Sequence, residues 1–286
     1  MRAVSVIIPA YNEEKGIGTV LDRVGEVLAE SGWEYELIVV NDASTDGTGV
    51  VLARHGVRVI EHEINRGYGA SLKDGIRAAR HEYILITDAD GTYPPESIPE
   101  LLRQAPECRM AVGARTGKQV AIPFHRRLPK ALLRWMANYL AGMRIPDLNS
   151  GLRIFSRESA LRFFNILPDG FSFTTTITLA FLSNDLKVTY VPIDYRHREG
   201  NSKFRPIQDT GNLLSLILRT SLYFHPLKIF VPAGLFLILL AAGVLAYSKF
   251  FLDKVMDITV IVIAMSGFQI LGLGLLADLI DKRIQR

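Results

Sequence analysis

Short apolar runs, each closed by a cluster of polar and turn-forming residues, recur through the first part of the chain. Val4-Ser-Val-Ile-Ile-Pro9 has the continuous apolar character of a strand buried on both faces. A helical stretch over 13–30 follows, then a strand-like Glu36-Leu-Ile-Val-Val40. A helix after Ser44, a strand at 57–61, a helix at 68–80 and a strand at 83–87 continue the alternation. Strand–helix alternation predicts an α/β fold with a doubly wound, mostly parallel sheet. Ligands of such sheets bind beyond the carboxyl ends of the strands.

The pattern changes from about residue 229. Two stretches without a charged residue, 229–247 and 258–277, are each close to the ~20 residues that cross a bilayer as a helix. The polar link 248–257 makes them a transmembrane hairpin occupying 227–286. Arg219 and Lys228 precede the first span and Lys282, Arg283 and Arg286 follow the second. Lys249 and Lys254 in the link are offset by Asp253 and Asp257. This bias places both termini in the cytoplasm. Upstream, 206–226 carries Leu213, Leu214, Leu216, Ile217 and Leu218 around Arg219. It reads either as an amphipathic helix on the membrane surface or as the last packed helix of the soluble part. The domains expected are therefore a catalytic unit over 1–205, this juxtamembrane segment and the hairpin.

Of the 286 residues 49% are hydrophobic, and the net charge is +4. The basic residues form no single run, and many lie near the apolar tail, so anionic headgroups and phosphates are expected as partners and nucleic acid is not. The lone Cys108 cannot form an internal disulfide, which fits a reducing compartment. Residues 1–10 lead straight into a strand, so no signal peptide is expected.

Polar residues follow the strands where ligands should bind: Ala10-Tyr-Asn-Glu-Glu14 after the first, Asn41-Asp-Ala-Ser-Thr-Asp46 after the second and Asp88-Ala-Asp90 after the fourth. Carboxylates at three strand ends suit a polyhydroxylated ligand whose phosphates are neutralised by a cation. Asn65-Arg-Gly-Tyr-Gly69 is half of a dinucleotide fingerprint, but Leu72 replaces the third glycine and the motif follows the third strand. It is read as a tight turn, and a nicotinamide site is rejected.

Taken in order, these segments resemble family 2 glycosyltransferases of the GT-A fold, and among them the polyprenyl-phosphate sugar transferases, from residue 4 to about 208. The resemblance implies that Pro9, Ala10, Tyr11, Glu13 and Asp42 bind the donor's base and ribose, with Asp88 beside them. Asp88-Ala-Asp90 is similar to the family's DxD motif, in which Asp90, with Asp88, would hold Mg2+ or Mn2+ on the donor diphosphate. Several relatives carry Gln two residues after the second aspartate. Thr92 stands there in this chain, so water would complete the metal shell. Val112-Gly-Ala-Arg115, Asp147-Leu-Asn-Ser-Gly-Leu-Arg153 and Tyr195-Arg-His-Arg-Glu-Gly-Asn-Ser-Lys203 resemble the family's later motifs. They imply an acceptor-phosphate site of Arg115, Arg126 or Arg127, Ser150, Arg198 and Lys203.

The activity so implied is inverting, metal-dependent transfer of a hexose, from a UDP-glucose or GDP-mannose type of donor, to polyprenyl phosphate at the cytoplasmic face of the cell membrane. Asp147 would be a base or an orienting group; orientation is favoured, because a phosphate monoester with a second pKa of roughly 6 needs no base at pH 7. The alternative acceptors are a diacylglycerol lipid or a growing polysaccharide. Against the latter, Ala131-Leu-Leu-Arg-Trp135 only partly matches the Gln-x-x-Arg-Trp motif of processive synthases and precedes the acceptor loop. Gly267, Gly272 and Gly274 offer small-residue faces for homo-oligomerisation through the membrane helices, or simply line one helix face.

Overall fold

The computed structural model describes residues 2–116, 138–139, 142, 144–170, 172–195, 222, 226–251 and 257–284. The chain forms two compact units, Met1–Leu214 and Ser215–Arg286.

In the first unit, seven strands make one sheet. They are β1 (Ala3–Ala10), β2 (Glu34–Asn41), β3 (Arg58–Glu61), β4 (Tyr83–Ile86), β5 (Met110–Ala114), β6 (Arg153–Ser156) and β7 (Val188–Pro192). The order is β3-β2-β1-β4-β6-β5-β7. The sheet is mostly parallel, as the alternation predicts; only β6 runs against its neighbours β4 and β5. Helices α1 (Ile17–Glu30), α2 (Thr48–His55), α3 (Tyr68–Ala78), α4 (Ile98–Gln104), α5 (Arg157–Arg162) and α6 (Phe173–Ser183) connect the strands. Helix α1 shows how patterning becomes packing. Ile17, Val20, Leu21, Val24 and Leu28 are buried at the spacing of one helix face and join a core with Val4, Val6, Ile8 and Val39.

The carboxyl ends of β1 and β2 are where the backbone departs from regularity. Asn12 and Ala43 have left-handed φ values of 56° and 59°, which cost a residue with a Cβ about 1–2 kcal/mol. Hydrogen bonds between the two loops hold them there. Asn12 N–H donates to Ser44 Oγ at 3.0 Å, Thr45 N–H to Asn12 Oδ1 at 2.7 Å and Glu13 N–H to Thr48 Oγ1 at 2.9 Å. This lacing explains why α1 begins at Ile17 rather than at the expected residue 13. Residues 11–16 serve as a loop on the ligand edge.

A second junction fixes the start of α3. Gly67 has a φ of 97°, Ala70 N–H donates to Asp169 O at 3.0 Å, and a Cβ on Gly69 would collide with the Pro168 carbonyl oxygen. Only a residue without a side chain lets the helix approach the 168–170 turn so closely.

The second unit contains α7 (Leu227–Phe251) and α8 (Asp257–Ile284), two helices long and apolar enough to cross a membrane. Each contains its expected span and extends past it. Their outer side chains are bare: Leu239 is 70% exposed and Phe250 76%. The helices meet through glycines, with a Cβ on Gly267 falling 2.9 Å from the Gly234 carbonyl oxygen and one on Gly274 falling 2.5 Å from Phe230 Cβ. Gly267 and Gly274 thus serve packing within the hairpin. A Cβ on Gly272 would meet nothing within 4 Å among the described residues beyond its own helix. The juxtamembrane segment 206–226 lies almost wholly outside the described residues.

Gly69→Ala should lower stability by about 1–3 kcal/mol, the usual cost of overpacking. Thermal unfolding of the full chain in detergent measures it, and an unchanged midpoint would contradict the α3 junction.

Candidate active site

Polar side chains from six segments converge beyond the carboxyl ends of β1, β2 and β4. The β1–α1 loop supplies Tyr11 and Glu13, both half-buried; Pro9 is half-buried and Ala10 buried at the strand end. Gly16 brings this loop against the segment after β4, since a Cβ there would lie 2.9 Å from the Ala89 carbonyl oxygen.

Asp42, at the end of β2, is 3% exposed and accepts four hydrogen bonds or close polar contacts. Arg66 N–H reaches Oδ1 at 2.8 Å, Gly67 N–H reaches Oδ2 at 2.8 Å, and His62 Nδ1 lies 2.6 Å from Oδ1. The fourth, to its carbonyl, comes from Asn65 Nδ2 at 3.4 Å. The far ring nitrogen of His62 lies 3.1 Å from Asp74 Oδ2, which also accepts from Arg66 Nη1 at 2.6 Å. Asp42 therefore shapes the 65–67 turn.

Asp88 and Asp90 leave β4 on either side of buried Ala89. Asp90 Oδ1 accepts from both Thr92 N–H at 3.1 Å and Thr92 Oγ1 at 2.6 Å. Thr92 is buried and fixes this carboxylate's rotation, a role the sequence reading did not give it. Asp88 Oδ1 accepts from Tyr68 Oη at 3.0 Å. Its two oxygens lie 2.8 Å from where a Cβ on Gly151 would sit. Burial and the adjacent Asp88 charge push the Tyr68 phenol well above its usual range, so the hydroxyl keeps its proton and donates. Tyr93, buried alongside and raised for the same reasons, accepts from Gly151 N–H at 2.6 Å.

Cationic groups face this acidic edge. Arg115, after β5, grips Asp147 through three bonds: Nε to Oδ2 at 2.7 Å, Nη2 to Oδ1 at 2.9 Å and its own backbone N–H to Oδ2 at 3.0 Å. Asn149 N–H adds a fourth at 3.1 Å. Burial works against an ionised Asp147, but the Arg115 bonds outweigh it and hold the carboxyl below the usual range. The Arg115 guanidinium also lies over the Tyr195 ring, 5.3 Å from its centroid. Arg153, fully buried in β6, donates to the carbonyls of Ser150 and Thr174 and to Thr178 Oγ1, fastening the 147–151 loop to α6. Ser150 Oγ is buried without a hydrogen-bond partner among the described residues.

Thus Pro9, Ala10, Tyr11, Glu13, Asp42, Asp88, Asp90, Arg115, Asp147 and Ser150 lie at one edge of the sheet. Arg126, Arg127, Arg198 and Lys203 lie outside the described residues. Sequence reasoning missed Tyr68, His62, Tyr93 and Arg153. Tyr68 sits in the very turn read as glycine chemistry, and an arginine inside the apolar Leu152-Arg-Ile-Phe155 strand was the available signal for Arg153.

Among the described residues no three His, Cys, Asp or Glu side chains converge into a closed metal cage. Two hard carboxylates do suit Mg2+ or Mn2+ when substrate phosphates and water complete the shell, so the donor set fits such an ion.

Comparison with known proteins accords with this geometry. Residues 5–171, more than half of the chain, match the model for Glycosyl transferase family 2. The chain belongs to glycosyl transferase family 2. Residues 225–282 match the GtrB C-terminal hairpin. The chain is 27% identical over 307 aligned residues to the dodecaprenyl-phosphate galacturonate synthase of Rhizobium johnstonii, covering 99% of this chain and 89% of that protein. It is 32% identical over 212 residues to the low-salt glycan biosynthesis hexosyltransferase Agl6 of Haloferax volcanii, covering 72% of this chain and about half (51%) of that longer relative. The fold matches glucosyl-3-phosphoglycerate synthase from Mycobacterium tuberculosis, solved with Mn2+, UDP-glucose and phosphoglyceric acid. The TM-score is 0.60 at 22% identity, over 77% of this chain and 80% of that one. The family 2 domain thus has the GT-A fold.

Two outcomes are expected from this geometry. Gly151→Ala should displace Asp88 and slow transfer by roughly 10- to 100-fold, since misplacement by about 1 Å costs on that order; an unaltered rate would contradict the contact. Because the folded pKa of Asp147 is depressed, the stability from its pairing is complete above the unfolded value of roughly 3.9. It is lost as pH falls through the lower folded value. Asp147→Asn should therefore flatten the acid limb of a stability-versus-pH curve, and a limb that stays as steep would count against the pair.

Proposed function

We propose that this enzyme transfers a hexose from a nucleotide-sugar to polyprenyl phosphate at the cytoplasmic face of the cell membrane, with inversion at the anomeric carbon. One observation carries the acceptor: the same chain that holds the Asp88–Asp90 and Arg115–Asp147 cleft continues into an apolar helical hairpin. A polyprenyl tail stays in the bilayer, so an enzyme held there meets its phosphate at raised effective concentration. The relative aligned along 99% of the chain is named for a dodecaprenyl-phosphate product, which supports the same acceptor class.

In this reading Asp42, Tyr11 and Glu13 line the nucleoside end of the donor. Asp90, held by Thr92, and Asp88 would bind Mg2+ or Mn2+. Such an ion supplies charge neutralisation for the departing nucleoside diphosphate. The acceptor's phosphate oxygen attacks the anomeric carbon as the bond to the diphosphate breaks. A phosphate monoester is largely dianionic at pH 7, its second pKa being roughly 6, so no proton need be removed. Asp147 is then an orienting group. Paired with Arg115 and kept ionised, it aims that guanidinium at the incoming phosphate, and buried Ser150 Oγ donates to one of its oxygens. The donor is of the UDP-glucose or GDP-mannose type, the frame being common to both.

The test uses the full chain in detergent or liposomes with polyprenyl phosphate, Mg2+ or Mn2+ and a panel of UDP- and GDP-sugars. A metal-dependent, mild-acid-labile glycolipid is expected, and Asp90→Ala should abolish it while the protein still inserts in membranes. Donor hydrolysis without lipid product from any sugar would overturn the acceptor assignment, and full turnover by Asp90→Ala would overturn the metal assignment.

A further inference from the structure

The turn before α3 does more than connect strand to helix. Its backbone is tied to the nucleoside side of the cleft through Arg66 N–H and Gly67 N–H on Asp42. It is braced from behind by Gly69 against Pro168 and Asp169 and by Lys73 Nζ on Asp169 Oδ1 at 2.7 Å. The residue next to Gly67 is Tyr68, and its hydroxyl reaches Asp88 Oδ1 at 3.0 Å. Asp42 and Asp88 lie at the ends of different strands. The 66–68 segment bridges them by hydrogen bonds at both ends.

We propose that Tyr68 is a positioning residue that sets the Asp88 carboxylate for the metal-bound donor diphosphate and couples it to the nucleoside side of the cleft. This rests on the donor-metal reading above. A carboxylate at a strand end has two soft side-chain torsions. Asp88 is confined on one side by Gly151, which leaves no room for a side chain, and on the other by the Tyr68 hydroxyl. The phenol is suited to this because its ring is anchored at the first residue of a helix whose N-terminal turn is fixed by three backbone contacts. Phenylalanine would preserve the ring and remove only the hydroxyl.

The test is Mn2+ binding by the full chain in detergent, measured by electron paramagnetic resonance with UDP and with GDP, together with nucleotide binding in the absence of metal. Tyr68→Phe should weaken Mn2+ binding by about 10- to 100-fold, the range for losing one hydrogen bond to a charged group. Metal-free nucleotide binding should be unchanged, which a merely structural role would not predict. In an Asp88→Ala background, which removes the accepting oxygen, the same change should cause no further weakening, because both substitutions break one interaction. This second comparison holds if the single variant loses stability. Unmoved Mn2+ binding in Tyr68→Phe, or additive losses in the double variant, would overturn the inference alone. A wild-type protein that ignores Mn2+ with both nucleotides would overturn the donor-metal reading as well.

Discussion

Asp88 is the point at which the turn before α3 and the 147–151 loop meet. It leaves the central strand β4, takes the Tyr68 hydroxyl from α3 and lies flat against Gly151 of the 147–151 loop. A half-buried carboxylate there is confined on two sides, so its position is set by its neighbours. The surrounding construction follows from that constraint. Gly69 must be bare for α3 to bring Tyr68 in. Gly151 must be bare to leave the carboxylate its place. Arg153 must hold the Ser150 carbonyl so that the loop carrying Gly151 stays put.

Charge is arranged to the same end. Acids gather at the ends of β2 and β4, the edge that the proposed function gives to the donor and its cation. The cation Arg115 is kept on the other side by a bidentate grip on Asp147. Such pairing makes Asp147 a poor proton acceptor and fixes the direction of the Arg115 guanidinium. An acceptor that arrives already ionised suits this division, whereas a neutral hydroxyl would need the basicity that Arg115 removes.

The sheet was legible because buried parallel strands leave a clear trace: Val4 to Pro9 and Glu36 to Val40 are continuous apolar runs ended by polar turns. The hairpin was legible from its lack of charge. Asp88, Asp90, Arg115 and Asp147 could be named because each stands in a motif. Tyr68 could not, because its importance lies in a 3.0 Å contact with a residue twenty positions away. Thr92 was read as a missing ligand and is instead the group that orients Asp90. The start of α1 was misplaced because hydrogen bonds from the 44–48 loop, invisible to periodicity, capture residues 12–14. The hairpin glycines were legible as small, but which of them face the partner helix depends on rotation about the helix axis. That rotation is fixed by packing of Gly234 against Gly267.

The most direct measurement is the steady-state pH profile of Asp147→Asn against wild type, with polyprenyl phosphate as the varied substrate. If Asp147 only orients Arg115, the variant raises the acceptor KM far more than it lowers kcat. Both proteins then share an acid limb set by the acceptor phosphate near its second pKa of roughly 6. A fall in kcat of about 10²–10⁴-fold at unchanged acceptor KM is what losing a general base would produce. Combined with loss of that acid limb, it would contradict the orienting role and return Asp147 to proton transfer.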